Sequence, residues 1–213
     1  MIRTIIFDLG GVVITLDPQQ AVRRFEELGL ADASERLNSY TQAGIFGDLE
    51  NGLISAEDFR RELCKLVGHE VTHQQCAYAW QGYALCVPQR NLECLQRLRK
   101  DGYRVLLLSN TNPYMMEWVG SEQFDGKGHS VDYYFDALYL SYRMKLMKPS
   151  EEIFRRVLIE EQVTPSECLF IDDGIRNVAA ASQIGMSTMC PVNGDDWTTQ
   201  LYDKLNDSST NSL

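Results

Sequence analysis

Three short apolar runs each end in side chains that can do chemistry. Ile5-Ile6-Phe7 leads into Asp8-Leu9-Gly10-Gly11, the run from Tyr103 to Leu108 into Ser109-Asn110-Thr111-Asn112, and Cys168-Leu169-Phe170-Ile171 into Asp172-Asp173-Gly174. A fourth candidate, Lys148, stands before Pro149-Ser150. If the runs are neighbouring parallel strands, their carboxyl ends meet at the edge where open α/β sheets bind ligands. Asp8, Asp172 and Asp173 would then converge and repel one another unless a cation compensates. Hard oxygen ligands of that kind suit Mg²⁺, which also takes a substrate phosphate. Ser109, the backbone amides of Asn110 and Thr111, and the Lys148 ammonium would offer hydrogen bonds and positive charge to a phosphoryl group. Asp8 is then placed as a nucleophile, forming an aspartyl phosphate. One Asp at a strand end is more often a turn former, so the weight lies in all four sites occurring together.

These residues need a scaffold, and the chain supplies a repeated order of buried strand, turn and amphipathic helix. Continuous apolar runs suit strands covered on both faces of a parallel sheet. A weaker strand at Ala137–Leu140 and a short one near Ser187–Met189 would complete it. Pro88 opens a helix that runs through Leu98 and stops at Asp101-Gly102, with Pro at its start and Gly past its end. Ser150 can cap a helix from Glu151 to Glu161, and another spans about 175–184 before Gly185. The alternation predicts an α/β fold with a doubly wound parallel sheet. Residues 17–88 break that rhythm with four helical patterns (Pro18–Leu28, Ser34–Tyr40, Ser55–Val67 and Thr72–Leu85) and no convincing strand. Ser55 with Asp58, and Thr72 with Gln75, have capping-box spacing. The expected organisation is a core of residues 1–16 and 89–213, a helical bundle of 17–88 inserted into it, and a polar end that frays over 203–213.

Composition narrows the ligand. Lys and Arg total 20 against 30 Asp and Glu, a net charge of −10, which argues against nucleic acid and anionic membrane surfaces. No run approaches 18 apolar residues, and no secretory leader is visible at the first residues. The six cysteines lack a C-x-x-C pair and read as small buried hydrophobes in a reducing compartment. The expectation is a cytoplasmic monomer or homodimer whose partner is a small phosphorylated metabolite.

Taken in order, Phe7-Asp8-Leu9-Gly10-Gly11-Val12-Val13, Leu108-Ser109-Asn110-Thr111-Asn112, Lys148-Pro149 and Ile171-Asp172-Asp173-Gly174 resemble the four motifs of the haloacid dehalogenase superfamily. The resemblance covers nearly the whole chain, and the superfamily consists mostly of Mg²⁺-dependent phosphatases. The inserted helices resemble its C1-type cap, which closes over the active site. The Ser-Asn-Thr-Asn stretch and Glu50-Asn51-Gly52-Leu53-Ile54-Ser55 look closest to bacterial glucose-1-phosphate phosphatases. The resemblance implies that Asp8 is nucleophile and first metal ligand, that the Gly10 carbonyl and Asp173 ligate Mg²⁺ directly, and that Asp172 acts through water. It implies that Ser109 and Lys148 bind phosphate, and that Lys148 balances the charge of Asp8.

One position departs from the pattern. Family phosphatases usually carry a second Asp two residues after the nucleophile, as general acid and base, and here that residue is Gly10. Losing such a group typically costs on the order of 10²–10⁴ in rate. Three readings follow: substrates with good leaving groups such as anomeric sugar phosphates, a replacement acid from the cap or substrate, or a low-activity or non-catalytic phospholigand-binding protein. Asp17, Asp48 and Glu50 are the candidate replacements. A metal-independent 2-haloacid dehalogenase is the alternative from another enzyme class, and the Asp172-Asp173 pair argues against it. The segment Gly47–Gly52 reads as a turn, of the kind that reaches the active site in C1-capped relatives. Trp80 and Tyr83 read as bundle core rather than a sugar platform, Asn177 is spaced to orient Asp173, and His69, His73 and His129 receive no role.

Overall fold

The computed structural model describes residues 1–37 and 44–210. The chain opens with β1 (Thr4–Phe7) and a short β2 (Thr15–Leu16). Helices α1 (Pro18–Glu27), α2 (Ala33–Arg36), α3 (Ile45–Glu50), α4 (Ala56–Val67) and α5 (His73–Gln81) follow, and β3 (Ala84–Cys86) brings the chain back. The remainder alternates: α6 (Gln89–Lys100), β4 (Arg104–Ser109), α7 (Pro113–Val119), β5 (Ala137–Leu140), α8 (Ser141–Met144) and α9 (Glu151–Glu161). It ends with β6 (Cys168–Ile171), α10 (Ile175–Gln183), β7 (Ser187–Met189) and α11 (Thr198–Thr210).

The five strands expected from sequence form one parallel sheet in the order β5-β4-β1-β6-β7. Alternate residues of each strand feed opposite faces. Ile5, Phe7, Val105, Leu107, Leu169 and Ile171 pack with Leu92, Leu95 and Leu98 of α6 and with Leu201 and Leu205 of α11. Ile6, Leu106, Leu108 and Phe170 pack with Ile153, Phe154 and Val157 of α9 and Ala181 of α10. Burial on both faces explains why these strands read as continuous apolar runs. Strand order reverses at β1, between β4 and β6, so the ends of those three strands frame the crevice in which such sheets bind ligands.

The inserted helices build a second apolar cluster around Phe25, Phe46, Phe59 and Trp80, whose rings meet edge-on or tilted at 5.2–5.7 Å. Tyr114 and Met115 of α7 join that cluster and seat it on the core. The Tyr114 hydroxyl donates to the Ala56 carbonyl at 2.6 Å. Both capping boxes form as read, Ser55 with Asp58 and Thr72 with Gln75.

Four expectations are corrected. Residues 17–88 do contain a strand, β3, paired antiparallel with β2; it is short and Leu85 is exposed, so it lacks a buried apolar run. Correspondingly α5 stops at Gln81 instead of reaching Leu85. The segment read as a turn, Gly47–Gly52, is helical as far as Glu50, because Phe46 and Leu49 face the aromatic cluster. The end expected to fray from Asp203 is helical through Thr210, since Trp197, Leu201 and Leu205 recur every four residues and all three are buried against the sheet. The second half of the helix expected at Ser34–Tyr40, and residues 211–213, lie outside the described residues.

Candidate active site

Asp8 stands one residue past β1. Its N–H donates to the Ile171 carbonyl at 2.8 Å, extending the β1–β6 ladder to the sheet edge. Its Oδ1 accepts the Leu9 N–H at 2.7 Å and the Lys148 ammonium at 2.9 Å. The same ammonium donates to Asp172 Oδ2 at 2.6 Å and to the Leu108 carbonyl at 2.9 Å. Three partners satisfy its three protons, which is how a lysine side chain only 1 % exposed stays charged. Burial alone would lower its pKa, but Asp172 and Asp8 hold it above the ordinary value.

Asn110 sets the reach of Lys148. Its side-chain amide donates to the Lys148 carbonyl and its Oδ1 accepts the Lys148 N–H, each at 2.9 Å. Sequence alone suggests only a backbone role for Asn110, whereas its side chain clamps the loop after β4 to the loop carrying Lys148.

The adjacent acids divide their work. Asp172 is fully buried, with Oδ1 accepting from Gly174 N–H (2.7 Å) and Asn177 (3.0 Å) and Oδ2 from Lys148 and again Asn177 (3.1 Å). Asn177 therefore orients Asp172, and not Asp173 as its spacing suggests. Asp173 faces the cavity and forms no salt bridge among the described residues. One carboxylate oxygen from each of Asp8, Asp172 and Asp173 lies within 4.8 Å of the others. Burial first, then the neighbouring carboxylates, pushes the pKa of Asp8 up to about 7 and that of Asp173 up to about 6, with Lys148 opposing both shifts. Three carboxylates and one ammonium leave a formal −2. That excess, on oxygen donors, fits a divalent hard cation such as Mg²⁺.

Gly11 makes room for this arrangement. It has φ +77°, and a Cβ there would lie 2.1 Å from Asp173 Oδ2. Gly11→Ala is expected to push Asp173 out of place and weaken Mg²⁺ binding by roughly 10–100-fold, the usual cost of disturbing a ligand's support. Calorimetric titration with Mg²⁺ would measure it.

Ser109 is buried at the end of β4, and its Oγ has a long 3.4 Å contact with the Asn110 carbonyl, leaving the hydroxyl free to turn to a ligand. The Thr111 amide is not available in the way expected: it donates to Ser141 Oγ at 3.0 Å. Ser141 follows β5 and is fully buried; its hydroxyl donates in turn to the Glu50 carbonyl at 2.6 Å. It thus ties the loop after β4 to the end of α3. Sequence reasoning missed Ser141, although it sits at a strand end like the other sites. Asn112 caps α7, accepting the Met115 N–H at 3.1 Å.

The cavity above these groups is about 770 Å³ and is closed on one side by the inserted helices. Asp8, Gly10, Ser109, Asn110, Thr111, Lys148 and Asp173 line its floor. Glu50, Asp48, Trp80 and Tyr83 line the opposite wall, with Arg176 and Asn193 also at the cavity. Trp80 and Tyr83 stack at 6.0 Å, and Trp80 is part of the aromatic cluster as read, yet both also face the cavity. Among the described residues, Trp80 Nε1 is buried without a partner at hydrogen-bonding distance. Arg176 and Asn193 carried no signal in the sequence beyond following strands β6 and β7.

Residues 2–185 match the family profile described as haloacid dehalogenase-like hydrolase. A D-ribitol-5-phosphate phosphatase of Bacteroides thetaiotaomicron is 45 % identical over 97 % of this chain and 100 % of its own length. A HAD-like family hydrolase from Porphyromonas gingivalis superposes with a TM-score of 0.92 at 42 % identity, covering 96 % of this chain and 98 % of that one. A HAD family enzyme of B. thetaiotaomicron, solved with magnesium and inorganic phosphate, superposes at 0.86 with 35 % identity over 94 % of this chain and 99 % of that one.

Proposed function

This chain belongs to the haloacid dehalogenase-like hydrolase family, and from that premise we propose that it is a Mg²⁺-dependent phosphatase of a small phosphorylated polyol or sugar. The observation that carries this reading is Lys148 bridging Asp8 and Asp172 at the mouth of the sheet, beside an Asp173 that lacks a cationic partner among the described residues. Asp8, Asp173 and the Gly10 carbonyl would hold Mg²⁺, with Asp172 behind them. The ion would supply positive charge to the oxygens of the transferring phosphoryl group. Ser109 would donate to one phosphoryl oxygen and Lys148 faces another, while Lys148 favours the ionised form of Asp8 and directs it. Asp8 attacks phosphorus and the ester oxygen leaves with the bond pair; water then cleaves the aspartyl phosphate and returns Asp8. Most of the acceleration in such a transfer comes from positioning and charge stabilisation. The cavity of about 770 Å³ falls in the range of small-molecule sites. The helices between β2 and β3 act as the cap that covers it. The pentitol phosphate named for the relative is the ester of a primary alcohol, which supports alkyl rather than anomeric phosphates as substrates.

The test is a panel of pentitol, hexose, nucleotide and aryl phosphates assayed with Mg²⁺ and with EDTA. Phosphate release that EDTA abolishes and Mg²⁺ restores is expected, greatest for pentitol or hexose phosphates. Chelator-insensitive turnover, or halide release from 2-haloacids, would overturn it.

A further inference from the structure

An alkyl phosphate leaves as an alkoxide, a poor leaving group unless its oxygen is protonated as the P–O bond breaks. Gly10 has no side chain to do this, and a Cβ there would already lie 2.9 Å from Leu16 Cδ1, so the Leu16 side chain fills that direction. The other acids weighed from sequence fall away. Asp17 accepts the Gln20 N–H at the start of α1, pairs with Arg23 at 3.4 Å and does not line the cavity. Asp48 lines it but is half-exposed, in the turn of α3 before Glu50. The protons of Lys148 are engaged by Asp8, Asp172 and Leu108.

Glu50 differs from these. It is the last residue of α3, buried, and faces the cavity across from Asp8 and Gly10. Its backbone is pinned to the core twice over. The carbonyl accepts from Ser141, which also holds the Thr111 amide. Two residues on, Gly52 (φ +67°) approaches the Tyr142 carbonyl so closely that a Cβ would lie 2.1 Å from it. The end of α3 that carries this buried side chain is thus fixed relative to the loop after β4. Burial pushes its pKa up to about 8, with the nearby side-chain amide of Asn112 pulling back and Asp8 adding to the rise. The titratable and charged groups that share the cavity with it are Asp8, Asp48, Tyr83, Lys148, Asp173 and Arg176.

Resting on the phosphatase reading above, we infer that Glu50 is the general acid and base that replaces the side chain missing at Gly10. In the first step the P–O(ester) bond breaks, its electron pair stays on the ester oxygen, and the Glu50 proton completes the alcohol. In the second, the Glu50 carboxylate takes a proton from the attacking water, the P–O bond to Asp8 breaks, and phosphate leaves. Glu50 ends protonated and Asp8 ionised, as both began.

Glu50→Gln keeps shape and the neutral state, so the fold is expected to hold, which a thermal melt checks. Its turnover of a pentitol phosphate should fall by roughly 10²–10⁴. With 4-nitrophenyl phosphate, whose leaving group needs no proton, it should release a rapid equivalent of nitrophenol and then slow, as phosphorylated Asp8 accumulates. Glu50→Asp, still an acid, should recover part of the alkyl phosphate activity. A loss equal for all leaving groups without a burst, or alkyl turnover within about threefold of the parent, overturns the assignment. If the parent chain itself shows no Mg²⁺-dependent turnover on any ester, the phosphatase reading falls instead. If the parent turns over and Asp8→Asn does not, the Glu50 result stands on its own.

Discussion

Asp8→Asn is expected to abolish Mg²⁺-dependent phosphate release, by about 10⁴-fold or more, while the protein stays folded. The amide cannot attack phosphorus, so no phosphoenzyme forms, and acid-quenched digests of the parent but not the variant should carry a phosphoryl group on the Asp8 peptide. The fold is expected to survive for an electrostatic reason. Asp8 has its pKa pushed up to about 7, so above that pH the folded state holds an ionised group that burial disfavours. A raised carboxylate pKa costs stability that is absent below the unfolded value and is fully felt above the folded one. Asn removes that cost, and Lys148 keeps Asp172 as its closer partner at 2.6 Å. The thermal midpoint at pH 8 should therefore not drop. Full turnover in the variant would sink the nucleophile assignment.

Lys148→Met should do the opposite to stability and cost less activity than the loss of Asp8. Removing this buried ammonium leaves Asp8 and Asp172 facing each other uncompensated, a change that typically costs about 3–5 kcal/mol. For a chain of this size that corresponds to a fall in thermal midpoint of roughly 6–20 °C. Asp8 escapes part of the penalty by taking up a proton. The pKa of Asp8, already pushed up to about 7, rises further above its unfolded value, so the deficit is largest at pH 8 and shrinks as pH falls toward 5. Saturating Mg²⁺ should restore some of the lost stability by replacing the missing charge. Turnover should drop by about 10²–10³-fold, as when a preorganised charge on the transition state is removed. Thermal melts at both pH values, with and without Mg²⁺, measure the first claims. An unchanged midpoint at pH 8 would show that the bridge between Asp8 and Asp172 is not what holds these carboxylates together.

The strands and the residues at their ends were legible because one physical fact underlies both. A strand buried on two faces must be apolar throughout, so polar side chains immediately after Phe7, Leu108 and Ile171 stand out, and parallel topology carries them to the same edge. What lay hidden depends on contacts between residues distant in sequence. Ser141 meets Thr111 and Glu50 across separations of 30 and 91 residues, and no local pattern announces that. The division between Asp172 and Asp173 was equally invisible, because neighbouring residues on an extended segment point in opposite directions and only the position of Lys148 decides which of them faces inward. Helix α3 escaped notice because it is six residues long, with Gly47 inside it and Gly44 and Gly52 flanking it. Helix α11 was within reach: the four-residue spacing of Trp197, Leu201 and Leu205 was present beneath a polar, serine-rich surface.

The β2–β3 ribbon has a consequence for how such a chain could be assembled and altered. Thr15 pairs with Cys86 and Leu16 with Ala84, so the points where the chain leaves and rejoins the parallel-sheet unit are side by side. Everything between them hangs from a single stem, and a short turn could join Leu16 to Ala84 without disturbing any pairing of the five-stranded sheet. Adjacent ends of this kind are what allow one domain to be spliced into another. The inserted helices, Glu50 among them, and the sheet edge that carries Asp8 and Asp173 thus occupy separable stretches of the chain, so an exchanged insert would have to bring its own group in place of Glu50 and rebuild the contacts of Ser141 and Gly52.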